Sequence, residues 1–88
     1  MTDLLLLSRP GCNLCREMRE RVDAILGPSP HRWQERDVDS DLELARLYGE
    51  SIPVLFVNGR LFAKVRLPRL AAALRLRRAA GRVSGAVS

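Results

Sequence analysis

The sequence predicts an α/β domain of order β-α-β-α-β-β-α, a four-stranded mixed sheet carrying three helices. Two apolar runs, Leu4–Leu7 and Ile52–Val57, have the length and flanking breakers of buried strands. An amphipathic stretch follows the first at helical spacing. This makes the opening a strand–helix–strand unit, with a parallel pair and a right-handed crossover. Asn58-Gly59, directly after the second run, is the strongest short hairpin signal and adds an antiparallel pair.

The elements follow in order. Leu4–Leu7 stops at Ser8-Arg9-Pro10-Gly11. Leu14, Met18, Val22 and Ile25 then recur every three or four residues, with charged residues between them, and Gly27-Pro28 ends the helix. Glu17 and Arg21 add an i,i+4 pair to it. The charges of His31–Val38 (Arg32, Glu35, Arg36, Asp37) suit a strand at a sheet edge. The two apolar runs belong at the centre. Ser40-Asp41-Leu42-Glu43 reads as a capping box opening a short helix with Leu44, Ala45, Leu47 and Tyr48, closed at Gly49. Arg60–Val65 is the returning hairpin strand. Leu67, Leu70, Ala71 and Leu74 form one stripe of a last helix, with Arg69, Arg75, Arg77 and Arg78 opposite and Gly81 at its end. Residues 1–80 are expected to form a single domain and 81–88 a flexible tail.

Composition narrows the functional classes. At 47% hydrophobic the 88-residue chain can bury a small core, which argues against disorder of the whole chain. No apolar run reaches the roughly 18 residues of a membrane span. The start lacks the basic region of a secretory signal. Two cysteines are too few for a secreted disulfide scaffold, so a cytoplasmic location is the default. The charge is lopsided. Residues 1–58 hold seven basic and ten acidic groups, a net −3, and residues 59–88 hold eight basic groups and no acid, a net +8. Arg60, Arg66, Arg69, Arg75, Arg77, Arg78 and Arg82 are interleaved with a single aromatic, Phe62. That pattern supports only salt-dependent, sequence-blind attraction, so nucleic acid is not expected and a charged solvent face is the usual explanation; placed on the fold, the excess is expected to steer an acidic disulfide substrate toward Cys12.

Cys12-Asn13-Leu14-Cys15 lies where the first strand hands over to the first helix. Free N–H groups and the macrodipole there favour an anion, and thiol pKa values at helix N-termini fall to roughly 3.5–7.5. A spacing of three places both sulfurs on one turn, close enough to bond. Cys12 precedes the helix and should be the exposed, attacking sulfur; Cys15 lies inside the first turn and should be the covered, resolving one. Beside a strand–helix–strand pattern, Cys-x-x-Cys reads as a thioredoxin-like redox motif. Two alternatives stay open: half of a zinc site, which needs four ligands and so a second chain, and two inert core cysteines, against which the surface turn Pro10-Gly11 argues. Pro53, in Ser51-Ile52-Pro53, reads on local grounds as a trans proline opening a strand.

Three segments carry a family resemblance. Leu6-Leu7-Ser8-Arg9-Pro10-Gly11-Cys12-Asn13-Leu14-Cys15 resembles the active-site segment of glutaredoxin-like proteins of the thioredoxin superfamily. Asp37-Val38-Asp39-Ser40-Asp41 resembles the turn after their second strand, and Tyr48-Gly49-Glu50-Ser51-Ile52-Pro53-Val54-Leu55 their cis-proline segment. The Gly-Cys-x-Leu-Cys centre is similar to that of a small bacterial group. The resemblance implies a thioredoxin-like, glutaredoxin-type fold, a cis bond before Pro53, and thiol–disulfide oxidoreductase activity with Cys12 as nucleophile and Cys15 as resolving thiol. It also implies substrate contacts at Arg9, Ile52 and Pro53. The sequence departs from the pattern in having Asn13-Leu14 between the cysteines and no Gly-Gly in Leu61–Leu67. Both departures count against glutathione as reductant and favour protein or low-molecular-weight disulfides as substrates. No metal and no bound cofactor are expected, and a monomer is.

The remaining candidates carry plainer readings. Trp33 is read as packing, His31 as a solvated residue, and Tyr48 as a cover for a helix end. Asp37, Asp39 and Asp41 are read as turn and cap residues, since the glycine and terminal glutamate spacing of a calcium loop is missing. The alternative to catalysis is a binding module that docks an acidic partner through the Arg-rich last helix.

Overall fold

The structure is a computed structural model and describes residues 1–81. The elements are β1 (Thr2–Ser8), α1 (Asn13–Leu26), β2 (His31–Asp37), a 3-10 turn (Val38–Ser40), α2 (Leu42–Tyr48), β3 (Val54–Val57), β4 (Arg60–Lys64) and α3 (Ala72–Ala80). The sheet order is β2-β1-β3-β4. β2 runs parallel to β1, while the β1–β3 and β3–β4 pairs are antiparallel. The apolar strands β1 and β3 are central and the charged β2 is an edge, as the composition of each requires.

Strand alternation sorts the core into two clusters. Leu4, Leu6, Leu55, Val57 and Ala63 share one cluster with Cys15, Met18, Val22 and Leu26 of α1 and Leu76 of α3. Leu7 and Val54 face the other way with Val38, under Leu44 and Tyr48 of α2. Two helices therefore cover one face of the sheet and the short α2 the other. The ring of Tyr48 meets that of Phe56 edge-on at 5.8 Å.

The hairpin turn adopts the conformation its sequence dictates: Asn58 and Gly59 have φ of 50° and 83°, the left-handed pair of a type I′ turn. Asn58 also ties distant elements together. Its Oδ1 accepts the Asp3 N–H at 2.8 Å and its Nδ2 donates to the Ala80 carbonyl at 3.2 Å, fastening the turn to the C-terminal end of α3. In β4, Leu55 pairs with Ala63 but Phe56 with Leu61, so Phe62 is an extra, bulged residue.

Several expectations are corrected. The buried stripe of α3 is not Leu67, Leu70, Ala71 and Leu74. The helix starts only at Ala72, after Ala71 in a left-handed conformation (φ 55°). Leu76 is fully buried, with Ala79 and Ala80 packed on the same core, while Leu70 and Leu74 are exposed. Of the two leucines in α3, Leu76 therefore faces the core and Leu74 the outer side. Leu67 is buried, but from the segment before the helix. In α1 the stripe is rotated slightly: Cys15, Met18, Val22 and Leu26 are buried and Leu14 is largely exposed. Asp41, not Ser40, caps α2, its carboxylate accepting the N–H groups of Glu43 and Leu44. Glu17 and Arg21 form no ion pair, and Arg19 instead pairs with Glu35 across to β2. His31 is not simply solvated. Its ring contacts the Asp23 carboxylate at 2.9 Å and the Ser29 carbonyl at 2.7 Å, and Trp33 Nε1 donates to the same Asp23 oxygen.

The tail expected over residues 82–88 lies outside the described residues; Gly81 is the C-cap of α3. Among the described residues, no helix is long and apolar enough to cross a membrane.

Candidate active site

The site begins where β1 ends. Gly11, with φ 76°, turns the chain in a conformation that disfavours side chains, and the Cys12 N–H closes the turn on the Arg9 carbonyl at 3.2 Å. Cys12 is then the N-cap of α1, with extended backbone, and the Cys15 N–H donates to its Sγ at 3.1 Å. A sulfur thus stands where an Asp or Ser oxygen would normally cap a helix. Cys12 and Cys15 are joined by a disulfide across a Cα–Cα distance of 5.3 Å. Cys12 is partly exposed and Cys15 is 3% exposed, because Cys15 lies on the buried stripe of α1 while Cys12 precedes it.

The second wall is the turn before β3. Leu7 pairs with Val54, and the Ile52–Pro53 peptide bond is cis, not the trans form that local frequency favours. The Pro53 carbonyl accepts the Val65 N–H at 2.7 Å, which joins this turn to the exit of β4. Ile52 packs on the same core cluster as Cys12.

Arg9 links the parts. Its Nε donates to Asp39 Oδ2 at 2.7 Å, its Nη2 to Asp39 Oδ1 at 3.1 Å and its Nη1 to the Gly49 carbonyl at 2.7 Å. The hydrogen bond from Arg9 holds the Asp39 carboxyl below its ordinary range. One guanidinium therefore spans the β1–α1 turn, the 3-10 turn and the end of α2. Its fork geometry suits that task, as a lysine's single ammonium would not. Of the five residues the sequence singled out, Arg9, Cys12 and Cys15 share the first turn, and Ile52 and Pro53 stand on the neighbouring one. Sequence reasoning missed Asp39 and Gly49 as partners of Arg9. It read them as a turn residue and a helix stop, and a contact across 30 or 40 positions leaves no local signal.

Two surfaces border α1. Pro10, Cys12, Asn13, Cys15 and Arg16 line an open cleft with Glu35, which accepts from Ser8 Oγ at 2.9 Å and from Arg19 at 2.8 Å. In a separate groove, Leu14, Met18, Val65 and Leu67 meet charged residues of both signs, Glu17, Glu20, Arg21, Arg66 and Arg69. Val65 has φ 67°, a conformation rare for a β-branched residue.

The family model described as Glutaredoxin-like domain (DUF836) matches residues 3–75. The chain belongs to that family. Its matched span includes both cysteines, the cis-proline turn and the start of α3. Two solved structures share the fold of this glutaredoxin-like domain. One is titled as the structure of a malarial protein, with TM-score 0.56 and 16% identity over 93% of this chain and 99% of that one. The other is a mutant thioredoxin from Halobacterium salinarum, with TM-score 0.53 and 23% identity over 93% of this chain and 77% of that one. No curated protein matches the sequence.

Proposed function

We propose that this glutaredoxin-like domain is a dithiol thiol–disulfide oxidoreductase. The observation that carries the reading is the asymmetric placement of one bonded pair. Cys12 Sγ caps a helix, partly exposed and facing the Cys15 N–H, while Cys15 is buried one turn on.

In the reduced domain the helix N-terminus favours Cys12 as thiolate. That thiolate attacks one sulfur of a substrate disulfide, forming a mixed disulfide with Cys12 and expelling the other sulfur as a thiolate. Cys15 then loses its proton to solvent and attacks Cys12 Sγ. The mixed disulfide breaks, the second substrate sulfur leaves as a thiolate, and the Cys12–Cys15 disulfide forms. Two electrons pass from the pair to the substrate, and an external thiol of protein or low-molecular-weight class must return them. Burial of Cys15 restricts access to the bond from that side, so an incoming sulfur meets Cys12.

Substrates are protein or low-molecular-weight disulfides, held against the backbone of Ile52 and Pro53. The role proposed for Arg9 is to hold that wall beside Cys12 through Asp39 and Gly49. Glutathione is the weaker candidate for reductant, because the segment before α3 lacks the glycines of the family pattern.

The test is reduction of a labelled mixed disulfide by the wild type and by Cys12→Ser and Cys15→Ser. Cys12→Ser should lose turnover, and Cys15→Ser should accumulate the mixed disulfide on Cys12. Full turnover by Cys12→Ser would overturn the assignment.

A further inference from the structure

Among the described residues, the basic side chains of the +8 segment do not form one patch beside the disulfide. Arg66 and Arg69 rim the groove next to Leu14, whereas Arg60, Arg75 and Arg78 gather around a separate cleft with Leu61, Phe62 and Ala79. That cleft lies at the other pole of the domain. Arg60 pairs with Val57 and Val57 with Leu4, near the start of β1, while Cys12 follows its end. The neighbouring Arg77 reaches the Ile25 carbonyl at the C-terminal end of α1, whose N-terminus Cys12 caps.

We propose that this cleft is a docking site for an acidic, apolar-bearing segment of a partner protein. Four observations carry it. Among the described residues, Arg60, Arg75 and Arg78 have no acidic partner and no side-chain hydrogen bond, although Arg9, Arg19, Arg32 and Arg46 are each paired. The arrangement is prebuilt. Asn58 fastens the hairpin that carries Arg60 to the end of the helix that carries Arg75 and Arg78, so little ordering is left for binding. The bulge at Phe62 brings consecutive apolar residues to the same cleft, with Leu61 48% exposed and Phe62 half-buried. Finally, no acidic side chain follows Glu50, so residues 82–88 offer no carboxylate side chain to neutralise the three arginines.

A solvated helix face explains Arg77 and Arg78, which also complement the dipole at the end of α3. It explains neither the convergence of Arg60 from the hairpin nor the exposed leucine between the charges. A nucleic acid would need exposed rings to stack on, and the cleft offers one half-buried phenylalanine. An acidic peptide segment with a leucine or phenylalanine among its carboxylates fits both the charge and the floor. Because the cleft stands apart from Cys12, occupancy there leaves the disulfide accessible.

The experiment is fluorescence anisotropy with a labelled peptide of six glutamates around a central Leu-Phe pair, titrated with the full chain at low salt. Controls are the same peptide with Gly-Gly at its centre and an oligothymidine of equal charge. Saturable binding is expected, weakened about tenfold or more by Arg60→Glu with Arg75→Glu and Arg78→Glu. The Gly-Gly peptide should bind several-fold more weakly. Leu61→Asp, on an exposed side chain, should lose binding while melting like the wild type, which keeps the test valid if the triple variant does not fold. The proposal is overturned by absence of saturable binding or by tighter binding of the oligothymidine. It is also overturned by an equal loss on reversing Arg16 and Arg21, or by sedimentation showing a second copy of the chain in the cleft.

Discussion

Gly49 gives the most demanding test of how the fold builds the site. It closes α2, its N–H donating to the Ala45 carbonyl at 2.9 Å, and its own carbonyl accepts Arg9. A Cβ placed there would lie 2.4 Å from the Ala45 oxygen and 3.2 Å from Arg9 Nη2. The first is backbone and cannot rotate away, so Gly49→Ala must move the turn. Overpacking of this kind costs about 1–3 kcal/mol. Loss of glycine freedom in the unfolded chain returns about 0.4–1 kcal/mol. A net loss between about 0 and 2.6 kcal/mol remains, about 1.3 kcal/mol at mid-range, and at about 4–8 °C per kcal/mol for a domain of this size the mid-range melting temperature should fall measurably. Gly81→Ala is the control. Gly81 also ends a helix, but there a Cβ meets only ordinary contacts, at 3.5 Å from the Arg77 oxygen, so its melting temperature should hold or rise. Thermal melts by circular dichroism decide the matter. A Gly49→Ala protein that melts at or above the wild type would refute the steric reasoning. If it melts lower, amide shifts of Ile52 should move with it, because the same turn leads into the cis-proline segment.

Other consequences can be checked directly. Leu76→Ala should cost about 2–5 kcal/mol in denaturant unfolding, against less than about 0.5 kcal/mol for exposed Leu74→Ala, so equal effects would contradict the assignment of the buried face. The His31–Asp23 pair predicts a pH dependence. Hydrogen bonds to the Ser29 carbonyl and to Asp23 raise His31 above its ordinary 6.5, so that contribution is full below 6.5 and fades as pH rises through the elevated value. For Asp23, burial opposes ionisation but the hydrogen bonds from Trp33 and His31 outweigh it and lower the carboxyl below 3.8; its contribution is present above 3.8 and fades as pH falls through the depressed value. The stability advantage of wild type over His31→Gln should therefore be greatest between about pH 4 and 6.5 and shrink towards pH 8. A difference that does not change with pH would remove the pair from the account. In thiol trapping, oxidised wild type should lack free thiols, and Cys12 should be alkylated well before Cys15 once reduced, since Cys15 is covered.

The features legible in the sequence were those written in neighbouring residues. Leu4–Leu7 and Ile52–Val57 announced central strands because burial on both faces demands continuous apolar runs, although the second begins only at Val54. Arg32 to Asp37 announced an edge, and Asn58-Gly59 announced the turn type through the conformations those residues tolerate. Cys12 and Cys15 were legible because helix N-termini act locally on a sulfur three residues from its partner. Tertiary structure decided what depends on distant partners. Leu76 rather than Leu74 of α3 enters the core, with Ala79 and Ala80 packed against it, because the helix starts only at Ala72 and its packing beside α1 selects the buried face. Arg9 became a bridge because Asp39 and Gly49 come within hydrogen-bond reach only after β2 and α2 have packed. Among the described residues the basic excess, one run in the sequence, was divided because strand register and Asn58 place residues 60, 75 and 78 together and leave Arg66 and Arg69 in a separate groove with Leu14, Glu17 and Glu20 of α1.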